Sequence, residues 1–224
     1  MQDPDLNLVK QTCSSLVGGT IQLNATMQLP NGTVYSIPIA NCNIVGDMLE
    51  NLLFPALKSV IPTMEEGPKQ ASPDFYNRNG GDFEYELKAF QDAPGFDVSN
   101  FKSYIDQLSE NLERKMFRTK YLIFKYSLSE TTVTLCDFKM VDVWAILNYS
   151  GKYPVSIQSK SNVWYNLRPC VFGQMGDPSK TPAMFIEHIC KAIVQCPNNI
   201  ENKNDIIEKI QNQFITYTQH NYTL

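Results

Sequence analysis

The alternation of apolar and polar residues divides the chain into recognisable elements. Residues 20 to 40 read as strand, turn and strand: TIQLNATMQL alternates, Pro30-Asn31-Gly32 supplies a turn, and TVYSIPIA resumes. GDMLENLLFPALKSV (46 to 60) carries Leu49, Leu52, Leu53 and Leu57 as a helical stripe, with Pro55 as a kink point and Glu50 off the stripe. Residues 62 to 81 are rich in Pro, Gly, Asn and Ser and predict a loop or poorly ordered stretch. DFEYELKAF (82 to 90) then alternates cleanly. Phe83, Tyr85 and Leu87 fall on one face, and Asp82, Glu84, Glu86 and Lys88 on the other.

Downstream, residues 98 to 117 predict a helix capped by Ser99, with Phe101, Tyr104, Ile105, Leu108 and Leu112 at helical spacing. YLIFKYSL (121 to 128) predicts a central strand. TTVTLCDF and VDVWAIL continue as strands, or as a strand and a short helix. VWYNLRP (163 to 169) predicts a strand stopped by Pro169, and helices follow over 181 to 196, opening with Pro182, and over 204 to 217. This order predicts a mixed α/β domain. No repeat or linker interrupts the 224 residues, so one domain is expected over 1–224.

Charge and cysteine content modify the picture slightly. The net charge is −4, against the usual expectation for a nucleic-acid binder. Residues 1 to 100 hold 5 basic against 12 acidic residues, and residues 101 to 224 hold 14 against 11. The six cysteines (13, 42, 136, 170, 190 and 196) show no CxxC pair and no zinc spacing, and no cationic, apolar leader opens the chain. Reduced, packed thiols and a soluble, cytoplasmic protein are expected, with the four N-x-S/T sequons from Asn24, Asn31, Asn148 and Asn221 arising by chance. No apolar run reaches membrane-spanning length.

Candidate chemistry concentrates in SPDFYNRNGGDFEYELKAF. Asp74 follows a proline, and Glu86-Leu87-Lys88 begins twelve residues later. Residues two apart on a strand project from one face, so Glu86 and Lys88 point together while Leu87 turns into the core. Three acids along one solvated strand face repel one another, and a bound cation removes that repulsion. Phosphodiester hydrolysis needs such a hard, oxygen-loving cation, and Mg²⁺ accepts a few carboxylates beside water and phosphate oxygens. Glu113-Arg114-Lys115 and Glu201-Asn202-Lys203 share the ExK spacing but lack the strand and the upstream Asp, and read as surface charge.

The Asp74, Glu86 and Lys88 pattern resembles the PD-(D/E)xK nuclease motif. Residues of about 45 to 170 are similar to small type II restriction enzymes. The resemblance implies a restriction endonuclease-like α/β fold, with a central mixed β-sheet flanked by helices. It implies Asp74, Glu86 and the Leu87 backbone carbonyl as Mg²⁺ ligands, the carbonyl only where the strand end is exposed. Lys88 would assist the attacking water, and Glu50 from the preceding helix is a further candidate ligand. It also implies sequence-specific cleavage of double-stranded DNA, leaving 5′-phosphates, by a homodimer with a cognate methyltransferase in the cell.

Lys115 and Arg118, within a basic run from Arg114 to Lys125, are candidate phosphate contacts; helix-end charge compensation explains them equally well. Gln158, Ser159, Lys160, Asn162, Tyr165, Asn166 and Arg168 form the richest polar stretch, a candidate DNA-reading surface or a plain polar hairpin. Three other readings stay open: a sequence-nonspecific or structure-specific repair nuclease on the same fold, a non-catalytic DNA-binding module, and a secreted disulfide-bonded glycoprotein.

Overall fold

The computed structural model describes residues 4–38, 43–68, 72–78, 82–198 and 200–222. In chain order it begins with helix α1 (Pro4–Ser15), strand β1 (Thr20–Gln22) and the hairpin β2 (Asn24–Gln28) and β3 (Val34–Pro38). Helix α2 (Asn43–Val60), short strands β4 (Glu65–Glu66) and β5 (Phe75–Asn77), and strand β6 (Phe83–Phe90) follow. Strand β7 (Ser99–Asn100), helix α3 (Phe101–Glu110) and a π-helical segment over Glu113–Arg118 lead to the long strands β8 (Thr119–Ser129) and β9 (Thr132–Asp142). The chain ends with helix α4 (Val143–Ile146), hairpin strands β10 (Ile157–Lys160) and β11 (Val163–Leu167), a 3₁₀ turn at Phe172–Gln174, and helices α5 (Pro182–Gln195) and α6 (Lys203–Tyr222).

The chain forms two compact units. The first comprises residues 1–82, 86–93 and 122–139, and the second residues 83–85, 94–121 and 140–224. The first is built on a six-stranded sheet of order β1-β9-β8-β6-β5-β4 among the described residues. β8 is a central strand, as its apolar run predicts, and Leu122, Ile123 and Phe124 are fully buried. β6 is interior as well, between β8 and β5, which excludes an exposed edge strand. Its charged face is covered: Glu86 is only 7% exposed. Helix α2 buries Val45, Leu49, Leu53 and Leu57 at i, i+4 spacing, whereas Leu52, expected in the stripe, is half exposed. Helix α1 packs on α2 through the same unit.

Two features of this unit escape the periodicity. The loop predicted over 62 to 81 contains β4 and β5, which pair antiparallel with Glu65 opposite Tyr76 and Glu66 opposite Phe75. Strands this short carry too few residues for alternation to register. Residues 69–71 and 79–81 of that stretch lie outside the described residues. The predicted hairpin is present, with β2 and β3 antiparallel around a turn in which Gly32 takes a φ of +86° and Asn31 accepts the Thr33 N–H at 3.0 Å.

In the second unit α3 packs on α6 and β11, and α5 on α6. Phe101 meets Trp164 edge-on at 5.5 Å, and Tyr104 meets Phe185 at 6.3 Å. Asn100, not Ser99, caps α3: its side chain accepts the Ser103 N–H, while Ser99 pairs with Leu167 in the β7–β11 ladder. The helix predicted to reach residue 117 stops at Glu110. Asn111 leaves helical geometry at φ −149°, and the backbone re-forms as the π-helical segment. Of the cysteines, 13, 136, 170, 190 and 196 are free thiols, all buried but Cys136; Cys42 lies outside the described residues. Among the described residues no helix is long and apolar enough to cross a membrane.

Candidate active site

The sheet of the first unit brings the motif residues together. Asp74 stands immediately before β5, and Glu86 and Lys88 lie on the neighbouring strand β6. The Leu87 N–H donates to Asp74 Oδ2 at 2.6 Å, which fixes the aspartate carboxylate against β6. The Ser72 hydroxyl donates to Glu86 Oε1, and Lys88 Nζ lies 3.7 Å from Glu86 Oε2. Leu87 itself is buried and lies inside β6, which runs on to Phe90, so no strand end exposes it.

These groups open onto a cavity of about 640 Å³ whose wall carries the carboxylates Asp47, Glu50, Glu66, Asp74 and Glu86 against Lys88. Burial pushes the Asp74 carboxyl up to about 7, and the Glu86 charge adds to the rise; the Leu87 N–H and Lys88 oppose it. Glu50, on α2, is raised for the same reason, first by burial and then by Asp47, with Lys88 pulling it down and Glu86 and Glu66 adding to the rise. Glu50 therefore faces the same field. Yet among the described residues no three acidic, histidine or cysteine side chains are gathered closely enough to form a ready metal cage. Asp74 and Glu86 make a pair, with Glu50 across the cavity wall.

A pair of carboxylates that repel each other, Glu86 buried and Asp74 partly so, is the donor set a small divalent cation suits. Mg²⁺ is held by one or two carboxylates and keeps several waters, so a complete protein cage is not required. The residues present fit such an ion. The other two ExK copies contribute nothing here: Glu113 accepts from the Arg118 guanidinium at 2.9 Å in the π-helical segment, and Glu201 is exposed in the turn before α6.

The structure separates the residues proposed for DNA contact. Lys115 is buried, at 8% exposure, and Arg118 is clasped by Glu113 and lies over the Phe83 ring at 5.4 Å. By contrast, Gln158, Ser159, Lys160, Asn162 and Tyr165 are exposed on the β10–β11 hairpin of the second unit. Its two-residue turn places Ser161 and Asn162 at φ +50° and +60°, the left-handed pair typical of tight hairpins. A register shift after Gln158 leaves Tyr165 without an opposite residue, and such bulges re-aim side chains. Asn166 donates to Gln158 at 3.1 Å, and Arg168 is tied to Asp97 and the Gly95 carbonyl.

Two residues near the motif escaped the sequence reading. Ser72 holds Glu86, and Gly67 donates its N–H to the Asp74 carbonyl at 2.8 Å. Neither carries a sequence signal, because their roles come from β4 and β5 folding back beside β6.

The model of the NgoBV restriction endonuclease family matches residues 16–223. The type II restriction enzyme NlaIV of Neisseria lactamica is 33% identical over 108 residues, which cover 46% of this chain and 44% of that enzyme's length. A solved structure of an NlaIV restriction endonuclease superposes with a TM-score of 0.77 over 98% of this chain and 89% of that one, at 21% identity. That likeness establishes the fold expected from the motif, a central mixed β-sheet flanked by helices. With its family model matched over nearly the whole length, the chain belongs to the NgoBV restriction endonuclease family.

Proposed function

We propose that this chain is a type II restriction endonuclease that hydrolyses both strands of double-stranded DNA at a short specific site, with Mg²⁺ as its cofactor. The observation that supports this most is the convergence of Asp74, just before β5, with Glu86 and Lys88 of the neighbouring strand β6 in one acid-lined cavity. Asp74 and Glu86 would hold the cation, and Glu50 faces it from α2. When bound, the ion neutralises phosphate charge and lowers the pKa of water. Ser72 and the Leu87 N–H orient the two carboxylates. Lys88, at 3.7 Å from Glu86, would hold the attacking water and offset negative charge building on the phosphate. The exposed β10–β11 hairpin, with Gln158, Ser159, Lys160, Asn162 and Tyr165, supplies hydrogen-bonding groups of the kind that read base edges. Asn166 and Arg168 support it through their own bonds. A homodimer in the cytoplasm, alongside a methyltransferase that protects the host sites, completes the reading.

The test is incubation of the purified protein with unmethylated plasmid, in Mg²⁺ and in EDTA, beside Lys88→Ala. Discrete fragments that require Mg²⁺ are expected, and Lys88→Ala slows their formation by about 10²–10⁴-fold, the scale of a lost proton-handling group. A smear of fragments would instead indicate a sequence-nonspecific nuclease. No cleavage of several unmethylated DNAs would favour a binding module.

A further inference from the structure

We infer that Gly67, outside the motif, is a positioning residue for Asp74, and that the absence of a side chain there sets the spacing of the two carboxylates. This rests on the reading of Asp74 and Glu86 as cation ligands. Gly67 follows β4 and donates its N–H to the Asp74 carbonyl oxygen at 2.8 Å. A Cβ built on it would overlap the Pro73 carbonyl oxygen, stand 2.7 Å from the Pro73 carbonyl carbon and lie 3.2 Å from the Asp74 oxygen. These are backbone atoms, so no side-chain rotation relieves the contact. The φ of Gly67 lies outside the left-handed region, so the requirement for glycine is one of space and not of backbone conformation.

The segment that would be displaced has little freedom to move harmlessly. Asp74 is gripped on both sides: Gly67 holds its main-chain oxygen, and the Leu87 N–H holds Oδ2 at 2.6 Å. Behind Gly67, the approach to β4 is anchored by Lys58 Nζ on the Met64 carbonyl at 2.6 Å, and the β4–β5 ladder ties Gly67 to the strand that continues from Asp74. With β4 anchored, a methyl group at residue 67 pushes Pro73 and Asp74, and the Asp74 carboxylate leaves β6. Glu86 stays where it is, because its strand is interior. The paired ligands then separate.

The experiment is calorimetric titration of the DNA-free protein with Mn²⁺, as a stand-in for Mg²⁺, on wild type, Gly67→Ala and Gly46→Ala. Gly46 is a helical glycine with nothing within 4 Å of its added Cβ. Gly67→Ala should weaken Mn²⁺ binding by about 10–100-fold, the range for residues that orient metal ligands. Gly46→Ala should bind as wild type does. In an Asp74→Asn background, Gly67→Ala should cause no further loss, because it acts through Asp74. Unchanged Mn²⁺ affinity in Gly67→Ala, or a loss that adds fully to that of Asp74→Asn, overturns the inference. Should Gly67→Ala fail to fold, amide exchange of wild type decides: the Gly67 N–H should exchange more slowly once Mn²⁺ binds, and an unchanged rate overturns the inference. Wild type that neither binds Mn²⁺ nor cuts DNA sinks the proposed function and this inference together. Wild type that does both, with an indifferent Gly67→Ala, sinks this inference alone.

Discussion

Asp74 shows how the cavity trades stability for chemistry. Its carboxyl titrates near 7 in the folded protein, against 3.8 when unperturbed, chiefly because it is buried and then because Glu86 faces it. The folded state therefore holds a proton that the unfolded chain has already released. Stability from this group is full below about pH 4 and is lost as pH rises to about 7. In EDTA, Asp74→Asn should consequently melt higher than wild type at pH 8 and near it at pH 4. The gap should amount to about 1–2 kcal/mol, allowing for an open cavity and for Lys88, or roughly 3–6 °C. Mg²⁺ should raise the melting temperature of wild type and leave the variant almost unmoved, since a ligand stabilises only the state that binds it. Thermal melts across pH 4–8, with and without Mg²⁺, measure both effects. A wild-type-to-variant gap that ignores pH would show that burial of Asp74 imposes no such cost.

At the scale of the element, β6 carries more buried charge than an ordinary strand tolerates. Glu84 is 2% exposed and accepts from the Arg114 guanidinium at 2.7 Å, while its other oxygen has no hydrogen-bond partner among the described residues. Removing one partner of such a pair strands a charge in low dielectric. Arg114→Ala should cost about 2–4 kcal/mol, and Glu84→Gln in the same chain should recover part of it, as urea titrations would show. Equal stability of the single and double variants would mean that water already reaches Glu84. The sequence makes β6 legible because eight residues alternate, and it singles out Glu86 and Lys88 because they share one face of that strand, with Asp74 twelve residues upstream. It cannot show Glu84 buried, since alternation marks the charged face without saying what covers it. Ser72, Gly67 and the two-residue strand β4 are invisible for a related reason. Each is defined by a partner seven or more residues away, and no local pattern encodes that pairing. The displaced cap of α3 is a smaller case: Ser99 and Asn100 are both good caps, and the helix starts at Phe101, which gives the role to Asn100.

For the whole molecule, the net charge of −4, and among the described residues the pairing of Arg114, Arg118, Lys120 and Arg168 with acids, weaken any basic field that would draw DNA from a distance. On the proposed function, affinity for DNA would come from fitted contacts over a limited surface more than from a broad basic field. This favours two subunits acting on one short site, since pairing doubles the fitted surface without a change in the chain. The carboxylate pair points the same way. On the proposed roles, one Asp74–Glu86 pair with one Lys88 would serve one scissile phosphate, so the two strands of a duplex would need two such cavities. Mixing subunits tests this. Wild type and Lys88→Ala chains, unfolded together in equal amounts and refolded, should give about half hybrids, each with one working cavity, if pairing is random. On supercoiled plasmid bearing a single site, wild type should yield linear DNA, Lys88→Ala little product, and the mixture a large open-circular fraction that persists at high enzyme. If one chain cuts both strands by itself, the mixture should instead yield linear DNA at about half the wild-type rate, with no added open circles.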